Sequence, residues 1–234
     1  MKRSSPHLKN NRHPSRMDIT EINKAVSILK KKIKQWKVPV VGVIANESRD
    51  PFLVLISTIL SLRTKDKTTF EASNRLFALA TTPEEMIKLP PAQIEKTIYP
   101  AGFYKTKARS ILHVCDDLIN RFQSRVPDNL DDLLTLKGVG RKTANLVLTL
   151  GYDKYGICVD THVHRISNRF GFIKTKTPDE SEMVLRKKLP KRHWKIYNDL
   201  LVTFGQNHCK PVSPLCSQCN LISLCKRVGV KSSK

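Results

Sequence analysis

Acidic residues are scarce in this chain. The sequence sets 20 Asp and Glu against 42 Lys and Arg, a formal charge of +22 at pH 7 over 234 residues. Such an excess favours a polyanionic partner, held by counterion release and long-range attraction. Nucleic acid leads, ahead of acidic membranes or acidic proteins. Long apolar runs are missing too. The longest mainly apolar stretch, Pro51 to Leu62, is bounded by Asp50 and Arg63 and contains Ser57, Thr58 and Ser61. A bilayer span needs about 20 apolar residues, so this stretch reads as a buried helix and no membrane partner is expected. The N-terminus lacks the hydrophobic region of a secretory signal. Six cysteines, unevenly placed, are too few for a secreted disulfide scaffold and point to a reducing, intracellular compartment: cytoplasm or nucleoid, or the nucleus of a eukaryote. Sustained period-two alternation is absent, as are Asn-Gly and Asp-Gly hairpin turns. That leaves a nearly all-α chain.

Helical signals fill it. Ile22, Val26, Leu29 and Ile33 follow a 3.6-residue period through Lys30-Lys31-Lys32, whose charges read as a solvated face. Thr82-Pro83-Glu84-Glu85 is a helix start, with a cap, a proline at the first position and acids in the first turn. Asp128 ahead of Leu130, Leu133, Leu134 and Leu136 reads as another, and apolar faces recur at 166–170 and from Met183 to Leu189. Residues 1–17 carry five basic residues and no acid among Ser, Asn, His and Pro, the composition of a flexible basic tail.

Three segments carry chemistry. Leu136-Lys137-Gly138-Val139-Gly140-Arg141-Lys142-Thr143-Ala144-Asn145 is a glycine-pinched turn opening into a helix that runs to about Gly151. Such a turn presents backbone N–H groups to an anion such as phosphate, or else simply packs two helices. Lys142 falls in the first helical turn, where a cation is disfavoured and an uncharged, nucleophilic amine is eased. Val159-Asp160-Thr161-His162 supplies a carboxylate that can cap the following helix and still face a cleft. His162 and His164 stand two apart, on different sides of a helix, which disfavours a shared metal. The third segment, Cys209, Cys216, Cys219 and Cys225, spaces its thiols C-x6-C-x2-C-x5-C. That spacing alone fits a four-cysteine zinc site or an iron–sulfur cluster. Cys115 and Cys158 lie outside the pattern and read as small core residues.

In this order and spacing the three segments resemble endonuclease III, a DNA glycosylase family of the helix-hairpin-helix superfamily, over about residues 20–228. The resemblance implies two α-helical domains with DNA in the cleft between them. Residues 44–154 would form a six-helix barrel with the helix-hairpin-helix motif. Residues 18–43 and 155–230 would form the second domain, its C-terminal loop holding a 4Fe-4S cluster on the four cysteines. The implied activity is excision of oxidised pyrimidines from duplex DNA by a monomer, followed by cleavage 3′ to the abasic site. Lys142 would be the nucleophile and Asp160 its proton acceptor. Gly138, Val139, Gly140 and Arg141 would hold the DNA backbone. Leu60 to Asp66 resembles the segment that fills the gap left by the flipped base, with Arg63 where the family often has glutamine. Gly102-Phe103-Tyr104 aligns with the family's wedge, which makes Phe103 either an intercalating side chain or a core residue. The cluster would staple the last segment, since the chemistry needs no electron from it. Two alternatives stand beside this reading. One is a related glycosylase for mismatched or oxidised purines, whose monofunctional forms typically lack the lysine. The other is a non-catalytic helix-hairpin-helix DNA-binding module.

Overall fold

The computed structural model describes residues 16–36, 41, 42, 44, 48 and 50–234. The basic tail expected over 1–17 lies outside them apart from its last two residues. Of these, Met17 belongs to the packed body: its apolar side chain is buried and its N–H donates to the Gly171 carbonyl at 3.2 Å. All regular elements among the described residues are helical, and none is long and apolar enough to cross a membrane.

Helix α1 spans Ile19–Lys32, opened by a capping box in which Asp18 accepts from the Glu21 N–H and the Glu21 carboxylate accepts from the Asp18 N–H. Ile22, Val26 and Leu29 are buried on its inner face. Helix α2, Pro51–Ser61, is apolar almost all round because helices surround it; α3 (Asp66–Phe77), α6 (Tyr104–Phe122) and α8 (Arg141–Leu146) all pack on it. Its inward Val54, Leu55, Ile56 and Leu60 each contribute about 1.5–3 kcal/mol by leaving water. The short α4 (Pro83–Met86) has the expected Thr82 cap and proline start. Helix α5 (Pro91–Ile98) packs on α3 and α6. Helix α7 (Leu130–Thr135) is capped one residue later than the sequence indicated. Asn129 accepts from the Asp132 N–H at 2.9 Å, while Asp128 is drawn away into an ion pair with Lys154 at 2.5 Å. Helix α8 continues as one π-helical turn, Val147–Gly151.

Three further helices complete the chain: α9 (Thr161–Arg169), α10 (Pro178–Lys188) and α11 (Trp194–Asn207). In α10 the apolar face is narrower than expected, since Met183 is 52% exposed while Leu185 and Leu189 turn inward. Buried apolar side chains form two separate cores. The first gathers residues from Val41 to Leu148. The second combines α1 with the chain from Ile157 to Leu221. Helix α8 lies where the two meet, which brings the hairpin turn and the segment after residue 157 to the same junction.

Candidate active site

The turn between α7 and α8 is built for an exposed backbone. Gly138 has φ +87°, a left-handed conformation that a side chain would strain. Val139 is different in kind. Its side chain is buried in the first core and its N–H donates to the Leu136 carbonyl at 3.0 Å, so it anchors the turn. The space before Gly140 is open, with no atom within 4 Å of where a Cβ would stand. No side chain caps α8, which leaves its leading N–H groups without a side-chain acceptor.

Lys142 and Asp160 line one cavity of about 170 Å³ at the junction of the cores. The α2–α3 connection adds Ser61, Thr64 and Asp66, α8 adds Leu146, and α11 adds Asn198, Asp199, Val202 and Gln206. Asp160 caps α9 through Oδ1 alone, accepting from the His162 and Val163 N–H groups at 2.8 and 2.9 Å. Among the described residues Oδ2 takes no part in the cap, and the residue lines the cavity. Burial pushes the Asp199 carboxyl up to about 6. His162 is held below its ordinary 6.5 first by burial, against the pull of Asp160, with Arg165 and Lys142 adding to the depression. His164 points elsewhere, its Nδ1 2.7 Å from Ser181 Oγ, so the two histidines share no centre. A larger cavity of about 690 Å³ lies at the far side of the first core. Its acids are already engaged: Asp50 caps α2 and Asp128 pairs with Lys154.

Arg63 and Phe103 meet. The Arg63 guanidinium lies 4.3 Å from the Phe103 ring centroid, and both residues adopt left-handed backbone, with φ of 55° and 60°. Phe103 is 56% exposed, which removes the core alternative. The two loops are clamped from beneath. Buried Lys107 donates from Nζ to the Leu60 carbonyl and to Thr64 Oγ1, both at 2.6 Å, and the Gly102 N–H donates to the same Thr64 oxygen at 3.1 Å. A Cβ on residue 102 would sit 2.5 Å from the Arg63 carbonyl oxygen, so the close approach requires glycine. Burial carries Lys107 down to about 8.

Arg141 is occupied within the protein. Its Nε and Nη2 donate to Glu182 at 2.6 and 2.9 Å, and its side chain is 30% exposed. Glu182, 2% exposed, also accepts from Arg186 Nε at 2.8 Å and from Asn145 Nδ2 at 3.2 Å. This carboxylate therefore ties α8 to α10 across the two cores. A phosphate contact by Arg141 would have to share a guanidinium whose fork already faces Glu182.

All four C-terminal cysteines are reduced thiols lining one pocket with Phe170, Phe204 and Ile222. Burial pushes Cys219 up and carries Cys225 to about 11, the neighbouring thiols adding to the rise in each case. Raised thiols of this kind ionise readily only against a cationic centre. N–H groups already aim at the sulfurs: Arg169 Nη1 at Cys209 Sγ and the Arg227 N–H at Cys225 Sγ, both at 3.4 Å. Among the described residues no three His, Cys, Asp or Glu side chains are grouped so as to hold a single metal ion. Cys115 and Cys158 are core residues as expected, and burial raises both, Cys115 to about 12.

Comparison with known proteins follows the same lines. Residues 56–191 match the HhH-GPD superfamily of base excision DNA repair proteins. The chain is 48% identical to endonuclease III of Thermotoga maritima over 77% of its own length and 85% of that protein. It belongs to the endonuclease III family. Another member, the chloroplastic endonuclease III homolog 1 of Arabidopsis thaliana, is 41% identical over 78% of this chain and 52% of its own longer sequence. Among solved structures, endonuclease III trapped as a covalent intermediate with DNA superposes with a TM-score of 0.79 at 35% identity, over 89% of this chain and 95% of that one. The all-helical fold is the family's. Motif reasoning missed Asp199, Lys107 and Glu182, all on helices whose inward faces are set by distant partners.

Proposed function

We propose that the cavity at the junction of the two cores is the active site of a bifunctional DNA glycosylase and abasic-site lyase with Lys142 as nucleophile. The observation that carries this reading is the shared placement of the Lys142 amine and the Asp160 carboxylate in one cavity beside an uncapped hairpin turn. The family's activity is removal of oxidised pyrimidines from DNA with strand cleavage at the abasic site. The two cores are then two domains close to the expected 44–154 and 18–43 with 155–230, except that Val41 packs in the first core and moves that boundary ahead of residue 41, and duplex DNA lies across the cleft between them.

A base inside the stack cannot reach an amine in a cavity, so the damaged nucleotide is flipped out. The N–H groups at Gly138 and Gly140 hold the phosphate while buried Val139 keeps the turn in place. Arg63 fills the gap in the duplex and Phe103 wedges the neighbouring step. Uncharged Nζ of Lys142 attacks C1′; the N-glycosidic bond breaks and the base leaves with the bonding pair and a proton. Asp160 takes the proton lost by the amine through Oδ2, passes it to the departing base and stabilises positive charge on the sugar. Ring opening leaves a Schiff base between Nζ and C1′. Loss of a proton from C2′ then breaks the C3′–O bond, cutting 3′ to the lesion, and water releases the lysine.

Cys209, Cys216, Cys219 and Cys225 would hold a 4Fe-4S cluster. Their shared pocket and the N–H donors at two sulfurs suit such a group, and the family membership favours it over a single zinc. When bound it supplies a cross-link for the last segment. An intracellular, reducing compartment would keep these cysteines available to the cluster.

Borohydride trapping on a duplex with one oxidised pyrimidine tests the assignment. Wild type is expected to give a covalent protein–DNA adduct and Lys142→Ala none. Equal trapping by Lys142→Ala removes Lys142 from the role.

A further inference from the structure

Asp199 is a cavity carboxylate that the chemistry above leaves without a task. It lies on α11 in line with Val202 and Gln206, three and seven positions further on, and all three line the cavity of Lys142 and Asp160. Its helix neighbours are engaged within the protein, Asn198 included although it too lines the cavity. Asn198 donates to the Cys158 carbonyl at 3.2 Å, and Tyr197, Leu200 and Leu201 pack into the second core. Asp160 commits one oxygen to two backbone N–H groups, whereas neither oxygen of Asp199 meets a donor or a cation among the described residues. The rise of its carboxyl to about 6 has burial as its cause, with no compensating partner.

An acceptor in a cavity that no protein group engages is available to a donor from the ligand. A pyrimidine with an oxidised or saturated C5–C6 bond, such as dihydrouracil, carries an N3–H between two carbonyls. That edge offers a donor to a carboxylate and an acceptor to an amide such as Gln206. We propose that Asp199 determines specificity by accepting a hydrogen bond from the ring N–H of the flipped base, with Gln206 beside it for a base carbonyl. This rests on the glycosylase reading of the cavity. Bases whose ring nitrogen at that place is substituted, or is an acceptor as in adenine and cytosine, leave the carboxylate unsatisfied, which is how the site disfavours them.

The proposal separates base recognition from proton transfer. A general base for Lys142 would act equally on a sugar that has already lost its base, whereas a recognition group cannot. Single-turnover rates are measured on duplexes carrying either one dihydrouracil or one pre-formed abasic site, for wild type, Asp199→Leu and Asp199→Asn. In Asp199→Leu the ratio of base release to abasic-site cleavage falls about 10- to 100-fold, the loss of one hydrogen bond to a charged group. Asp199→Asn keeps an acceptor oxygen and recovers most of that ratio. A ratio in Asp199→Leu within about threefold of wild type, with both activities kept or both lost, overturns the assignment. Wild type inactive on both duplexes overturns the glycosylase reading itself instead.

Discussion

Glu182→Gln tests the bridge between the two cores. The carboxylate is 2% exposed and accepts from Arg141 and Arg186, whose side chains are 30% and 25% exposed. A hydrogen bond to a charged group contributes about 1.5–3 kcal/mol, and removing one partner of a buried ion pair costs about 3–5 kcal/mol. Both guanidiniums keep some water, so the low end applies and the loss is about 3 kcal/mol. For a chain of this size each kcal/mol shifts Tm by about 2–4 °C, giving a fall of about 6–12 °C at pH 7 in a calorimetric melt. The pH dependence provides a second check. Burial pushes the Glu182 carboxyl up, but hydrogen bonds and charge from Arg141 and Arg186 outweigh it and hold the group below its ordinary 4.5. A depressed carboxyl contributes stability that is whole above the unfolded value and lost as pH falls through the folded one. The gap between wild type and Glu182→Gln should therefore be full above about pH 4.5 and close in more acid solution. A fall of less than about 2 °C at pH 7, or a gap that persists unchanged to about pH 2, refutes the reasoning.

Other substitutions test single links. Asp160→Asn preserves an α9 cap but removes the charge, so Tm holds within about 2 °C while base release falls about 10²- to 10⁴-fold in single-turnover assays; a large loss of stability with activity kept contradicts the role. Lys107 is carried down to about 8 from its ordinary 10.5, so the unfolded chain binds the extra proton between those values and wild-type stability rises with pH across that window. Urea midpoints of wild type relative to Lys107→Met should improve from pH 7.5 to pH 10, and a pH-independent difference contradicts it. Cys225→Ser removes one of the four thiols; the purified variant should lose iron–sulfur absorption and melt lower, whereas wild type that is colourless and carries one zinc contradicts the cluster.

Chemistry that acts along a few consecutive residues is legible in the sequence itself. The Thr82 box, the Asp160 cap and the Gly138 turn depend on neighbours within four positions, so residue order encodes them. The cysteine spacing is equally local, and family resemblance supplies what spacing leaves open. Asp199, Lys107 and Glu182 are hidden for a shared reason. Each is an ordinary charged residue on a helix, and its burial depends on which distant element covers that face. Val139 and Arg141 look like parts of a phosphate grip, yet one is pinned in the core and the other turned toward an acid 41 positions away. Asp128 and Asn129 are both plausible caps, and Lys154, far along the chain, decides between them.

Helix α9 joins two regions that share no atoms of chemistry. Asp160 stands at its start, and near its end Arg169 donates to the carbonyls of Lys210 and Pro211, both at 2.6 Å, while Arg165 donates to that of Cys209 at 3.0 Å. Nine residues make a rod about 13 Å long, stiff enough to carry a tilt from one end to the other. The same nine residues thus carry the site's carboxylate at one tip and the anchor of the cysteine segment at the other.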